Sequence, residues 1–312
     1  MNQTGESIYD VSSTFYLTSS IVITTVGLIG NLLSLYILSK PQFRDISFFR
    51  YLIVTMANDI INLATWWPSI LPYQTNTDSV SCKLVTFFGY LFYQFCPWII
   101  VVSSIDRLLS VKYPAKFRFR TKLKYQAALL SVIFGVLVLL NVPFYSYFDI
   151  YSISDETTEC STGDSHIQIN LDFAVLLIST VIPFIIMVVC SSVIGRTLIT
   201  NRARLLQNRK NYQKEFQLIN TMHAMNLFFL VCNLPFSIQQ LVFDIMQIFN
   251  ITSDLQPLVY DITNTISFCK NAFGFFLYVS CNKLFRGYFF SIINCQNTVS
   301  PMSLISSANT RH

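Results

Sequence analysis

Charge is what this chain has least of. Asp, Glu, Lys and Arg together make up 12% of its 312 residues, against about 25% in a soluble domain. So little polar material cannot cover a water-facing surface, which excludes an ordinary soluble fold. Histidine occurs three times, as His166, His223 and His312. There is no zinc-like Cys/His spacing and no nucleophile constellation, which argues against a metalloprotein or an enzyme. Glycine-rich phosphate loops, internal repeats and low-complexity tracts are also missing, and no cofactor is expected. The strict apolar/polar alternation of a membrane β-barrel does not occur. The polar, mildly acidic stretch Met1–Tyr16 lacks the basic start and cleavage site of a signal peptide. The first apolar run is therefore expected to remain as a signal anchor.

What is abundant is apolar surface. Hydrophobic residues make up 53% of the chain and aromatic residues 15%, and mean hydropathy is +0.49. A helix needs about 20 apolar residues to cross a bilayer. Seven such runs are present, at 17–39, 49–72, 83–111, 125–147, 168–195, 216–248 and 257–281. The expected fold is an all-α membrane protein, a seven-transmembrane helix bundle. It divides into an outer N-terminus (1–16), the bundle (17–281), a short amphipathic inner helix (282–294) and an inner tail (295–312).

The net charge of +5 could suggest nucleic acid, but the placement of the basic residues explains it better. Nineteen of the 21 Lys and Arg residues fall in the first, third and fifth connections and the tail. Lys83 lies on the other side, and Lys270 lies within a span. Basic loops stay cytoplasmic, so the N-terminus is expected outside and the C-terminus inside a plasma membrane. The sequons at Asn2 and Asn250 both land outside, as candidate glycosylation sites against a background of chance matches. Cys82 and Cys160 are the two cysteines expected at the oxidising face. A bond between them would pin the second outer loop across the helix mouth; two free thiols are the other reading. Cys295 follows the amphipathic stretch Phe285, Tyr288, Phe289, Ile292 and is a candidate for palmitoylation against an unmodified thiol.

An ionised group at mid-bilayer costs at least ~2.5–3.5 kcal/mol, so each such residue needs a reason. Asp59 sits in the second run. Lys270 sits in the seventh, with Asn271, Gly274 and Tyr278 at helical spacing. With Asn31 in the first run, Asp59, Lys270 and Asn271 form a candidate polar core, either functional or a static network that orients helices. Asp106-Arg107 closes the third run and by itself marks only the membrane boundary.

Together these residues resemble the rhodopsin-like G-protein-coupled receptor family over nearly the whole chain. The likeness rests on Gly30-Asn31, on Asp59 with Pro68, and on Cys82 to Asp106-Arg107 with Leu108 closing a variant Asp-Arg-Tyr. It continues through Pro143, Pro183, Phe229, Cys232-Asn233-Leu234-Pro235, Asn271 to Tyr278, and Phe285. Each motif is weak; their joint order in one seven-span chain is specific. The resemblance implies an extracellular ligand, a heterotrimeric G protein and a lipid bilayer as partners, with no nucleic acid. It implies that Arg107 pairs with Asp106 and Glu215 at rest, and that Phe229, Asn233, Pro235 and Tyr278 belong to the switch. By itself, Glu215 reads as a solvated charge among Lys and Arg.

The chain also departs from the family. Asn233 replaces the switch tryptophan, and Gly274-Phe275 replaces the Asn-Pro pair of the seventh helix, which should leave that helix straighter. Ser191 replaces the fifth-helix tyrosine, and the fourth-helix tryptophan is absent. Relatives often hold sodium against the position of Asp59; here the Lys270 ammonium is expected to pair with Asp59 in the ion's place. A lysine for retinal is ruled out by Phe268, and an amine-binding aspartate by Gly89. The expected pocket is lined by Tyr90, Tyr93, Gln94, Phe236, Gln240, Tyr260, Asn264 and Phe268. Outer acids at Asp78, Asp149, Asp155, Glu156, Glu159, Asp164, Asp244 and Asp254 favour a cationic ligand. The seventh-helix ending Phe275-Phe276-Leu277-Tyr278 looks like that of neuropeptide receptors, so a basic or amidated peptide is favoured. The competing functions are a receptor-shaped protein that binds without signalling, and a transporter or channel, which would need paired halves that the sequence does not show.

Overall fold

The computed structural model describes residues 3–44, 46–66, 78–113, 122–152, 158–200 and 209–294, with side chains at 3–10, 42, 158–159, 198–199 and 209–215 left aside. Helices dominate. They are α1 (Gln3–Leu38), α2 (Pro41–Arg44), α3 (Ser47–Trp66), α4 (Ser79–Lys112), α5 (Leu123–Tyr147), α6 (Ser165–Leu176), α7 (Ile182–Thr200), α8 (Arg209–Ile248), α9 (Gln256–Ala272), α10 (Gly274–Cys281) and α11 (Lys283–Ile293). A π-helical turn, Leu177–Val181, joins α6 to α7. Five segments are long and apolar enough to cross a membrane: Val11–Leu38, Ser79–Lys112, Leu123–Tyr147, Ser165–Thr197 and Phe216–Ile248. The chain is a helical, multi-pass membrane protein.

The expected second and seventh spans also form helix, in different ways. α3 has 20 residues, about 30 Å at 1.5 Å per residue, which matches the hydrocarbon core. Its inward face carries Asn58, Asp59 and Asn62, all buried, and these lower its hydropathy. The seventh run is interrupted. α9 ends at Ala272, Phe273 leaves helical geometry at φ −95° and ψ 5°, and α10 restarts at Gly274. The run is interrupted at this one residue, where the loss of proline was expected to leave a straighter helix. Losing proline removes one cause of a break, but glycine supplies another by weakening helix where it costs least steric resistance.

Other elements fall outside the pattern of simple spans. α1 begins at Gln3 and runs unbroken through the polar N-terminal stretch. β1 (Asp149–Ser152) pairs antiparallel with β2 (Thr158–Ser161), with Ile150 opposite Cys160, so the fold is not purely α. The π turn precedes Pro183, which has no N–H to donate to the preceding turn. Trp98 Nε1 donates to the Ile178 carbonyl at 3.1 Å, satisfying a group that the wider turn exposes. Beyond α8, Asn250 takes a left-handed φ of 54°, and the Ile251 N–H reaches back to the Met246 carbonyl at 2.8 Å. This is a Schellman cap, which favours Gly or Asn at that position.

Small residues let helices approach. A Cβ at Gly27 would fall 2.5 Å from Leu63 Cδ1 and 3.1 Å from Ala272 Cα, and one at Gly30 would fall 3.0 Å from Phe275 Cβ. α1 therefore rests directly on α3, α9 and α10, the small-residue packing that membrane helices use in place of a hydrophobic drive. At the opposite end from Cys160, Leu38, Phe43, Phe48, Phe49, Leu52 and Met56 pack with Tyr278 and Phe285. Asn282 starts α11 by accepting the Leu284 and Phe285 N–H groups at 3.1 Å each, and Phe285 is buried against Phe275 and Tyr278.

Candidate functional site

The centre of the bundle holds a small cavity of about 30 Å³ lined by Thr55, Asp59, Cys96, Phe229, Lys270, Gly274 and Tyr278, among others. A water needs roughly 10–15 Å³ of such space, so the cavity fits about two. Asp59 and Lys270 are 2% and 8% exposed, yet they do not touch. Lys270 Nζ donates to Asn233 Oδ1 at 2.7 Å and lies 3.9 Å from the Tyr93 ring centroid. Asp59 Oδ1 accepts from Cys96 Sγ at 3.6 Å. No direct Asp59–Lys270 pair within 4 Å forms, which corrects the expected contact. The physical reason is reach: the Asn233 amide oxygen and the Tyr93 face, both on neighbouring helices, engage the ammonium first. Both charged residues line the same cavity.

Asn233 also accepts from Tyr93 Oη at 3.3 Å. Three helices, α4, α8 and α9, therefore meet at one amide oxygen. Phe229 adds a second ring 5.7 Å from the ammonium. Asn31 Nδ2 donates to the Asn271 carbonyl at 2.8 Å, tying α1 to α9. The candidate polar core thus resolves into two adjacent parts: Asn31 with Asn271, and Asp59, Lys270 and Asn233 around the cavity. Tyr278 belongs to the second.

At the end away from Cys160, Arg107 is 5% exposed. Its Nη2 donates to Ser47 Oγ at 3.1 Å, and its guanidinium lies 5.6 Å from the Phe48 ring. Arg50 joins the same corner, donating to Gln126 Oε1 at 2.6 Å. From α3, Arg107 thus meets the serine at the first residue of that helix and the phenylalanine after it. Glu215 lies in α8, with its side chain outside the described set. Ser191 accepts from Asn226 Nδ2 at 3.3 Å, bridging α7 and α8.

The expected ligand pocket does not assemble as one surface. Tyr90 stacks on Phe144 at 4.1 Å, and Gln94, 1% exposed, accepts from Asn141 Nδ2 at 2.8 Å. Both face α5. Phe268 stacks on Trp66 at 3.9 Å and 6°. Tyr16 Oη accepts from Trp66 Nε1 at 2.8 Å and from Asn264 Nδ2 at 3.0 Å, so Asn264 and Phe268 fill the space between α1, α3 and α9. Phe236 meets Tyr260 edge-on at 6.0 Å. Tyr93, Phe236, Gln240 and Tyr260 remain as candidates; Gln240 is half-buried on α8. Helical spacing placed these residues toward the interior but not toward a shared space, since several interior faces abut different neighbours.

The hairpin is held to α4 twice. Cys160 bonds Cys82 with Cα atoms 5.7 Å apart, and Lys83 Nζ lies 3.1 Å from Asp149. Hydrogen bonds from Ser79, the Ile150 N–H and Lys83 pull the Asp149 carboxyl down to about 2. Asp78 caps α4 through the Ser81 N–H, and Asp164 caps α6 through His166 and Ile167. Three of the eight outer acids are therefore structural. Asp155 and Glu156 lie outside the described residues, as do the Glu159 side chain, Pro68, Asn2 and Cys295. Asn250 has a conformational role as the α8 cap. Tyr16, Trp66, Cys96 and Asp172 were missed. Trp66 lies seven residues from Asp59 on the same face, and Asp172 is an acid inside a predicted span, so periodicity and charge cost could have found both. Nothing local marks Tyr16.

Residues 30–278 match the model of the 7 transmembrane receptor (rhodopsin family). The chain is similar to human C-C chemokine receptor type 7, with 25% identity over 93% of this chain and 78% of that one. It is similar to cysteinyl leukotriene receptor 1 of Sus scrofa, with 22% identity over 77% of this chain and 72% of that one. Lysophosphatidic acid receptor 4 of Mus musculus shares 27% identity over 60% of this chain and 52% of the other. With the disulfide at one end, Asp106-Arg107 at the other and a polar core between them, the chain belongs to the rhodopsin family of seven-transmembrane receptors and is a G-protein-coupled receptor.

Proposed function

We propose that this receptor responds to a basic or amidated peptide reaching the disulfide end of a seven-span bundle whose N-terminus is extracellular. α1, α3, α4, α5, α6 with α7, α8, and α9 with α10 are the seven spans. The single observation that carries the ligand reading is the charge at the disulfide end. Asp244 and Asp254 face no described cation there, and Lys83, the one basic residue, is occupied by Asp149. Likeness to a chemokine receptor supports a peptide rather than a small amine. Basic residues cluster at the other end, where Arg107 would engage the G protein once α8 swings outward and Glu215 no longer restrains it. The bundle is bistable, and the ligand shifts it only by its differential affinity for the two forms. Asn2 is the glycosylation site and Cys295 the palmitoylation site in this arrangement.

Calcium release in cells carrying a promiscuous G protein, recorded against amidated peptides, tests the reading. One active peptide, silent on Arg107→Ala at equal surface expression, supports it. Silence of the receptor at confirmed surface expression moves the ligand to another class.

A further inference from the structure

One face of α1 changes character along its length. Gly27 and Gly30 rest directly against α3, α9 and α10. Toward the N-terminal end the same face carries Ser12, Tyr16 and Ser19, at the spacing of successive turns. These residues reach α9 through hydroxyl groups. Ser12 Oγ donates to Asp261 Oδ2, the Ser19 and Thr265 hydroxyls lie 3.2 Å apart, and the Tyr16 hydroxyl accepts from Asn264. Ser12 is buried although it stands near the start of the helix. The N-terminal part of α1 is thus bonded to α9, whereas the part that follows is packed onto it.

The Tyr16 side chain enters a place with two donors and a flat aromatic wall. Trp66 Nε1 and Asn264 Nδ2 converge on its one oxygen, at 2.8 and 3.0 Å. An indole N–H and an amide nitrogen donate and do not accept, so their meeting point selects an oxygen with two lone pairs. Trp66 and Phe268 stack 3.9 Å apart and 6° from parallel. The Tyr16 ring meets Trp66 edge to face, at 5.9 Å and 80°, a favoured arrangement of aromatic pairs. Trp66, Asn264 and Phe268 are all buried. A plain hydrocarbon ring here would leave two buried donors unmade, which costs more than the average hydrogen bond returns. A small carboxylate or carbonyl would satisfy the donors and leave the space beside the Trp66 ring unfilled. A planar ring that carries a hydroxyl does both.

We infer that the space between α1, α3 and α9 is a binding site for a phenol, and that Tyr16 is its tethered occupant. The chain thereby plugs the region in which sequence spacing placed Asn264 and Phe268 as ligand contacts. The site goes beyond the peptide reading and stands whichever ligand class activates the receptor. Water can replace each hydroxyl bond that holds the N-terminal part of α1, so the net hold of each is small. Gly27 and Gly30 keep the helix in the bundle when the plug leaves.

The test uses the full-length receptor in lipid nanodiscs and two probes compared at equal bilayer concentration. These are 4-methylphenol, the tyrosine side chain as a free molecule, and toluene, which lacks the hydroxyl. Tyr16→Ala empties the site. 4-Methylphenol raises the unfolding temperature of Tyr16→Ala at concentrations that leave the wild type unmoved. Toluene needs about 25-fold more for the same shift, the loss of two neutral hydrogen bonds at about fivefold each. Asn264→Leu added to Tyr16→Ala cuts that preference to about fivefold, since one donor remains. Tyr16→Phe keeps the ring and loses the oxygen; its unfolding temperature falls, and neither probe restores it. If Tyr16→Ala fails to reach the cell surface, growth with 4-methylphenol restores its surface expression and growth with toluene does not. Equal shifts in the wild type, Tyr16→Phe and Tyr16→Ala show action through the bilayer and overturn the site. A Tyr16→Phe receptor as stable as the wild type overturns it, as does an equal response of Tyr16→Ala to the two probes. A Tyr16→Ala receptor that 4-methylphenol neither stabilises nor brings to the surface overturns it as well.

Discussion

Replacing Lys270 by Met keeps the length of the side chain and deletes its charge. In the wild type the ammonium makes a 2.7 Å bond to Asn233 Oδ1 and lies 3.9 Å from the Tyr93 ring. A hydrogen bond from a charged group contributes about 1.5–3 kcal/mol, and a desolvated cation–π contact about 2 kcal/mol. Asp59, 2% exposed, would also lose the nearest opposite charge. Removing one partner of a buried pair costs ~3–5 kcal/mol; the lack of a direct Asp59–Lys270 contact puts that part at its lower end. These contributions overlap, so the expected total is about 3–5 kcal/mol. For a chain of this size that lowers the unfolding temperature by roughly 6–20 °C at ~2–4 °C per kcal/mol. Buried Cys96, Cys190 and Cys232 make a thiol-reactive dye a direct reporter of unfolding. Adding Asp59→Asn to Lys270→Met should recover much of the loss, because the stranded charge is gone. Sodium chloride, compared with choline chloride, should stabilise Lys270→Met and leave the wild type unmoved. A Lys270→Met receptor within about 2 °C of the wild type, or a double variant that sums the two single losses, refutes the electrostatic account. Equal sodium responses with and without Lys270 refute the view that the ammonium stands in for an ion.

Gly27→Ala places a methyl group 3.1 Å from the Ala272 backbone and 2.5 Å from Leu63; overpacking of this kind costs about 1–3 kcal/mol, read as lower surface expression and unfolding temperature. Gly163→Ala forces a side chain into a left-handed φ of 65° and onto the Tyr151 ring, and should loosen the hairpin, measured as faster reduction of Cys82–Cys160. Asn282→Ala removes a two-bond N-cap and should destabilise α11 by about 1 kcal/mol, seen as faster amide exchange in residues 284–287. The Asp149 carboxyl is depressed to about 2 from an ordinary value near 3.8, so its contribution is complete above about pH 4 and is lost only as pH falls toward 2. Reduction kinetics of the Cys82–Cys160 bond, corrected for thiolate formation, should therefore show no Asp149-dependent change between pH 5 and 8.

The helical, multi-pass character was legible because hydropathy is a property of runs, and a run of twenty apolar residues has one low-energy environment. Cys82 and Cys160 were legible for a similar reason, since compartment limits which cysteines can oxidise. Pairing inside the bundle was not. Lys270 is four residues from Gly274 and one from Asn271, and either face of its helix could have carried it to Asp59. The distance to Asn233 depends on how α8 and α9 rotate against each other, which no single helix encodes. The pocket residues failed in the same way. Tyr90 and Gln94 have the period of an inward face, but inward from α4 means toward α5 for those two and toward α9 for Tyr93.

Two departures from the family pattern prove to be one. The switch tryptophan that relatives carry presents an indole N–H, a donor with no acceptor. A lysine ammonium is also donor-only, so a tryptophan at position 233 could offer Lys270 only its ring. Asn233 supplies the missing acceptor, and its oxygen takes both the Lys270 ammonium and the Tyr93 hydroxyl. Asparagine where the family has tryptophan is therefore the residue that makes an unpaired lysine tolerable in the seventh span. The link between α8 and α9 at this level is a charged hydrogen bond, and opening the bundle here must break or relocate that bond. A ring can turn in place while it stays buried. An ammonium cannot leave its acceptor without another, and the cavity toward Asp59 is the space next to it in which one exists.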